Sequence, residues 1–178
     1  MPEMQAPAVD VLTHEGTRVP LASFYADKPV ALIFLRHLGC IFCREQVSEL
    51  KEAGLNIALV GMSTPEEAAE FQKEVGVPHP VICDPNRHLH EAFGLTRGTK
   101  AQLINFKTIT KGLRAYRAGH RQTKIVGDPF QLPGAFVIGT SGEILWEYRG
   151  KDAADHPTAE TIKAALAGAG EAKVGAAG

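Results

Sequence analysis

The chain has 178 residues, 44% of them hydrophobic, three cysteines and a formal net charge of −1. A chain of this length buries roughly 70% of its unfolded surface and needs no disulfide staples, and three cysteines is too few, and odd, for a secreted disulfide framework. The near-neutral balance argues against nucleic-acid binding, which needs excess Lys and Arg to neutralise phosphates, and no apolar run approaches the length that crosses a bilayer.

Met1–Val9 lacks the apolar core of a targeting signal, so a cytoplasmic setting, without a membrane or nucleic-acid partner, is expected. Val9–Leu12 and Arg18–Leu21 flank a polar Glu15-Gly16 turn and predict a small hairpin. Val30–Leu35 is apolar at every position, as in a strand buried on both faces of a sheet. Where that run ends, Cys40-Ile41-Phe42-Cys43 opens a helical pattern. Two thiols at this spacing, at a strand-to-helix junction, read as a dithiol redox centre. The unpaired N–H groups and dipole of a helix start stabilise a thiolate, which is the reactive form. Cys43, Val47 and Leu50 recur at i, i+4 and i+7 on an inward face, with Arg44, Ser48 and Lys51 turned to water. Cys40 is therefore expected as the exposed nucleophile and Cys43 as its sheltered partner.

The competing reading is a pair of structural thiols or half of a zinc site. Zinc needs four ligands, and only His37, His79, Cys83, His88 and His90 could complete the set. His37 lies at the strand end, where sites gather in α/β sheets, as a candidate to stabilise the thiolate or move a proton. Arg44 follows the motif and could lower the thiolate pKa by its charge. Cys83, at the end of a short strand, reads as a small buried apolar residue.

Asn56–Met62 predicts the next buried strand. Thr64-Pro65-Glu66-Glu67 carries a capping box with Pro at the first helical position, Ala68, Phe71 and Val75 form the inner stripe, and Gly76 ends the helix. Pro80–Cys83 and a brief helix through Leu89 and Phe93 continue a β-α alternation, the pattern of a parallel sheet with crossovers. Residues 97–127 hold eight Lys and Arg with no acidic residue, and Leu103, Phe106, Ile109, Leu113 and Tyr116 recur at helical steps. An amphipathic basic helix is predicted there, near the edge of the site, where its field would favour thiolate and draw anions. Gly134–Ile138 and Glu143–Tyr148 form a late hairpin, Pro157 opens a last helix with Ile162 and Leu166 inward, and the Ala/Gly-rich stretch 168–178 is expected to be disordered. The body of the domain then spans 7–167.

Four ordered segments, Phe34–Glu45, Val77–Pro85, Gln131–Ile138 and Gly150–Pro157, together resemble the AhpC/TSA peroxiredoxin-like proteins, and within them the CxxC-bearing peroxiredoxin-like 2 branch of the thioredoxin superfamily. The resemblance implies a thioredoxin-like α/β fold: a central mixed sheet flanked by helices, with an N-terminal β-hairpin and a basic helical insertion before the late β-hairpin. It also implies a cis Pro133 lying against the CxxC motif. Two family features are missing. No Pro-x-x-x-Thr/Ser-x-x-Cys motif precedes either Cys40 or Cys43, and the peroxide-activating arginine before the late strand corresponds to Pro133. Arg36, Arg44 and His37 are the candidates to replace it. Alignment to the family places its reacting cysteine nearer Cys43, whereas burial favours Cys40, because a thiol on an apolar face has its pKa raised. The function implied is an antioxidant-type thiol oxidoreductase reducing hydroperoxides or disulfides, with electrons from a thioredoxin- or glutathione-like donor and no bound cofactor or metal. The alternatives are a thiol-disulfide reductase without peroxidase activity and a non-catalytic binding module.

Overall fold

The structure is a computed structural model that describes residues 4–51, 54–121 and 123–175. Its strands are β1 (Asp10–Thr13), β2 (Arg18–Pro20), β3 (Val30–Phe34), β4 (Ile57–Gly61), β5 (Val81–Cys83), β6 (Gly134–Ile138) and β7 (Ile144–Arg149). The helices are α1 (Ile41–Glu49), α2 (Pro65–Val75), α3 (His88–Ala92), α4 (Lys100–Leu103), α5 (Phe106–Arg117) and α6 (Ala159–Gly175). One sheet in the order β2-β1-β5-β4-β3-β6-β7 joins all seven strands. β3, β4 and β5 are parallel, and the two hairpins add antiparallel strands at the edges.

The unbroken apolar run of β3 serves two cores. Ala31, Ile33 and Leu35 enter the cluster that takes in α1, α2 and α6, while Val30, Leu32 and Phe34 pack with Leu89, Phe93 and Phe136 on the other face. The side-chain period of two splits one sequence run between two layers. At α2 the Thr64 hydroxyl accepts from Glu67 N, the Glu67 carboxylate accepts from Thr64 N, and Gly76 closes the helix in the left-handed region at φ 68°. Among the described residues no helix is long and apolar enough to cross a membrane.

Two elements differ from expectation. The stretch from 168 is helical as far as Gly175, because alanine is the best helix former and buried Ala169 holds the helix to the core; residues 176–178 lie outside the described residues. The basic segment does form a helix, α5, but three of its large apolar residues face outward: Ile109, Leu113 and Tyr116 are 60%, 50% and 54% exposed, while the Phe106 side chain lies outside what the structure describes. Thr108, Gly112 and Ala115 turn inward instead, and the Phe42 ring of α1 sits against Gly112. Small side chains at these three positions let α5 approach α1 closely.

Candidate active site

β3 delivers the chain to Leu35 and Arg36, a turn through Leu38 and Gly39 follows, and Cys40 is the N-cap of α1. Both sulfurs are enclosed, Cys40 at 0% and Cys43 at 2% exposure. The expected exposure of Cys40 is therefore wrong. A cap is open to water on an isolated helix, but here a distant segment covers the turn that leads into it. Thr123 N donates to Gly39 O at 3.0 Å and Leu38 N to Val126 O at 3.4 Å. A methyl group on Gly39 would run into the Lys124 carbonyl. A cleft of about 200 Å³ beside this strap is lined by Leu38, Gly39, Phe71 and Val126, with Arg44 and Lys124 facing Glu67, Glu70 and Glu74 across it.

The two thiols differ sharply in acidity. Cys40 is lowered to about 6, chiefly by a hydrogen bond from the Cys43 side chain; burial opposes this, and the Arg36 charge and the Cys43 and Phe42 N–H groups support it. Cys43 is pushed up by that same hydrogen bond and by desolvation. Its sulfur accepts from Arg36 N at 3.3 Å. At neutral pH the pair is thus a Cys40 thiolate held by a Cys43 thiol.

Of the three candidates to supply positive charge, Arg36 reaches the sulfur. Its Nη1 donates to Cys40 Sγ at 3.1 Å, its Nε to Gln131 O at 3.1 Å and its Nη2 to Pro129 O at 2.6 Å. Arg44 is engaged elsewhere: it donates to Leu38 O at 3.2 Å, pairs with Glu74 on α2 at 2.8 Å and lies over the Phe71 ring. Nor does it point freely to water. His37 is buried, its Nδ1 has no hydrogen-bond partner, and its pKa falls to about 4 through burial and then the Arg36 and Arg44 charges. It is neutral at pH 7 and adds no charge to the site.

Pro133 also differs from expectation. Among the described residues no peptide bond is cis. The Pro133 ring packs against Gly150, and its carbonyl accepts from Gly150 N at 2.9 Å. The loop before it is held to the thiols through Arg36 and the Pro129 and Gln131 carbonyls.

Sequence reasoning gave no place to the brace behind Arg36. Buried His90 donates from Nδ1 to Asp84 Oδ2 at 2.7 Å, and its Nε2 lies 3.2 Å from Leu35 O. The spacing of Asp84 and His90 across the start of α3 was the available signal. Cys83 is buried on β5, its thiol pushed up by desolvation. Among the described residues no three or more His, Cys, Asp or Glu side chains come together as a metal site.

A parallel β3-β4-β5 core with a CxxC motif at the first helix start defines a thioredoxin-like thiol oxidoreductase. Comparison with known proteins makes this specific. Residues 44–152 match the AhpC/TSA antioxidant enzyme family. Human peroxiredoxin-like 2C is 24% identical, with 85% of this chain and 74% of that protein covered. The prostamide/prostaglandin F synthase of Salmo salar is 29% identical, with 85% and 80% covered. The crystal structure of peroxidoxin BcpB from Mycobacterium tuberculosis superposes with a TM-score of 0.60 at 17% identity, over 93% of this chain and 96% of that one. The chain belongs to the AhpC/TSA antioxidant enzyme family and is a thiol-dependent oxidoreductase.

Proposed function

We propose that Cys40 and Cys43 are the reacting thiols, cycling between dithiol and disulfide as they reduce a hydroperoxide or a disulfide. The observation that carries this reading is the placement of the pair: Cys40 caps the start of α1 with Arg36 Nη1 donating to its sulfur at 3.1 Å, and Cys43 accepts from Arg36 N at 3.3 Å, a setting in which the Cys40 pKa is lowered and that of Cys43 raised. With a hydroperoxide, Cys40 Sγ attacks the terminal oxygen, the O–O bond breaks, and the departing alkoxide takes up a proton to leave as alcohol. The sulfur is oxidised to a sulfenic acid. Cys43 then attacks that sulfur, a disulfide closes and water leaves. With a disulfide substrate, Cys40 displaces one sulfur and Cys43 resolves the mixed disulfide. Two electrons from a thioredoxin- or glutathione-like thiol donor restore the dithiol, so no bound cofactor takes part. Such a cycle suits a reducing compartment, and we place it in the cytoplasm.

One feature favours hydroperoxide over disulfide. Arg36 Nη1 lies 3.1 Å from the attacking sulfur, so an oxygen reaching that sulfur meets the guanidinium as negative charge develops on the leaving group. Arg36 thereby takes the role for which the family's own arginine is missing.

The test is donor-coupled turnover with an alkyl hydroperoxide and, separately, with a protein disulfide. Cys40→Ser should abolish both activities, and Cys43→Ser should accumulate a sulfenic acid or mixed disulfide visible in the intact mass. Full turnover by Cys40→Ser sinks the assignment. Disulfide reduction without peroxide consumption would leave the reductase reading.

A further inference from the structure

The outward face of α5 is not explained by the fold. Ile109, Leu113 and Tyr116 share one face at i, i+4 and i+7, offset by about 100° from the Thr108–Gly112–Ala115 face that packs on α1. Ile104 and Ile125 are exposed on the flanking segments, so five of the eight large exposed apolar residues of the described chain fall between 104 and 125. Cations surround them. Residues 97–127 contain eight Lys and Arg and no Asp or Glu. Among the described residues Lys100, Arg117 and Lys124 make no ion pair, and Arg121 lies over the Tyr116 ring, 4.0 Å from its centroid.

This combination restricts what can cover the face. A symmetric contact with a second copy would set these cations against their own counterparts, which like-charge repulsion opposes. The stripe lies on the convex, exposed side of α5, whereas the cleft beside the helix is polar and of mixed charge, with Lys111, Arg114 and Lys163 against Glu45, Glu49 and Glu160. A helix or peptide entering that cleft would therefore leave the apolar stripe uncovered. A broad surface that is apolar within and anionic at its boundary fits both features. We propose that the α5 face lies on an anionic phospholipid bilayer, with Ile109 and Leu113 in the acyl boundary, Tyr116 at headgroup depth and the basic residues against the phosphates. The sequence-based expectation of no membrane partner rested on spanning length, which tests crossing a bilayer and not lying on one. Because α5 packs on α1, docking would bring the CxxC helix to the lipid surface. The binding itself needs no thiol, so it stands apart from the redox assignment.

The experiment is cosedimentation of the full chain with vesicles. The reduced protein should bind vesicles of mixed phosphatidylserine and phosphatidylcholine, bind pure phosphatidylcholine far more weakly, and be released at about 1 M salt, where the Debye length is about 3 Å. The double variant Ile109→Asp/Leu113→Asp should lose about tenfold or more in partitioning, each residue forfeiting apolar burial. Should that variant fold poorly, Arg117→Glu/Lys124→Glu provides the second arm, expected to lose at least about fivefold per charge. Cys40→Ser should bind like the parent. Absence of binding to anionic vesicles overturns the proposal, as does binding unchanged in the variants. A stripe-dependent dimer in sedimentation equilibrium, or capture of an acidic apolar peptide in place of vesicles, overturns it in favour of a protein partner.

Discussion

A thiolate with no exposed surface persists only where donors replace the water it has lost. Around Cys40 the Cys43 thiol, the Arg36 guanidinium and two N–H groups of the α1 start do so. Removing one donor should therefore show in the titration. Arg36→Met should raise the Cys40 pKa from about 6 by about 1–3 units, the usual effect of a neighbouring opposite charge, and slow alkylation at pH 7. Ultraviolet thiolate absorbance against pH is the measurement. His37→Asn should leave that curve in place, because His37 is already neutral at pH 7. An unmoved curve for Arg36→Met would remove the guanidinium from the site.

The same acidity links to stability. The folded pKa of Cys40 lies below its unfolded value, so the folded form binds fewer protons between about 6 and 9. Stability of the reduced protein should rise with pH through that window and be lost as pH falls back through about 6. Cys43, shifted the opposite way, makes the unfolded form the readier to ionise above about 9, where stability should decline. Urea midpoints of the reduced protein across this range check the sign. Cys40→Ser should lack the rise between 6 and 9, and an identical rise in that variant would assign it to other groups.

The helices and strands show what was legible in the chain and what was not. β3, α1 and α2 could be read directly, because an unbroken apolar run, a capping box and a left-handed Gly76 are local signals. The thiol spacing and helix-start position of Cys40 were legible for the same reason. Its burial was not, since the strap at Thr123–Val126 arrives from more than eighty positions along the chain. Neither was the choice of Arg36 among three candidates, since its other partners stand 93 and 95 positions away. The outward turn of α5 misleads any periodicity argument, because periodicity identifies a face and not what lies opposite it. The strap contact itself can be tested at Gly39, where an added methyl group meets the backbone carbonyl of Lys124. Backbone cannot rotate aside as a side chain would. Gly39→Ala should cost about 1–3 kcal/mol, the range for overpacked sites, and should speed reaction of native Cys40 with an aromatic disulfide reagent. Parental stability together with parental reactivity would show that the strap does not shield the thiol.

For the molecule as a whole, the net charge of −1 conceals a strong separation. Eight of the nineteen Lys and Arg lie within 97–127, which leaves eleven against all twenty Asp and Glu elsewhere. The basic part adjoins the site at two places, α5 on α1 and the strap on the Leu38–Gly39 turn. A field of one sign beside a site raises the encounter rate of opposite charge, by about 10–10³-fold in favourable cases, and salt screens it. The separation should therefore appear as substrate discrimination. Raising the ionic strength from about 0.01 M to about 1 M shortens the Debye length from about 30 Å to about 3 Å, and kcat/KM for a carboxylate-bearing alkyl hydroperoxide should fall about tenfold or more. A neutral hydroperoxide of similar size should change little, because its approach carries no charge for the field to act on. The paired comparison cancels any effect of salt on the thiolate itself, which both substrates share. Equal salt dependence for the two would mean that the basic segment does not steer substrate to Cys40.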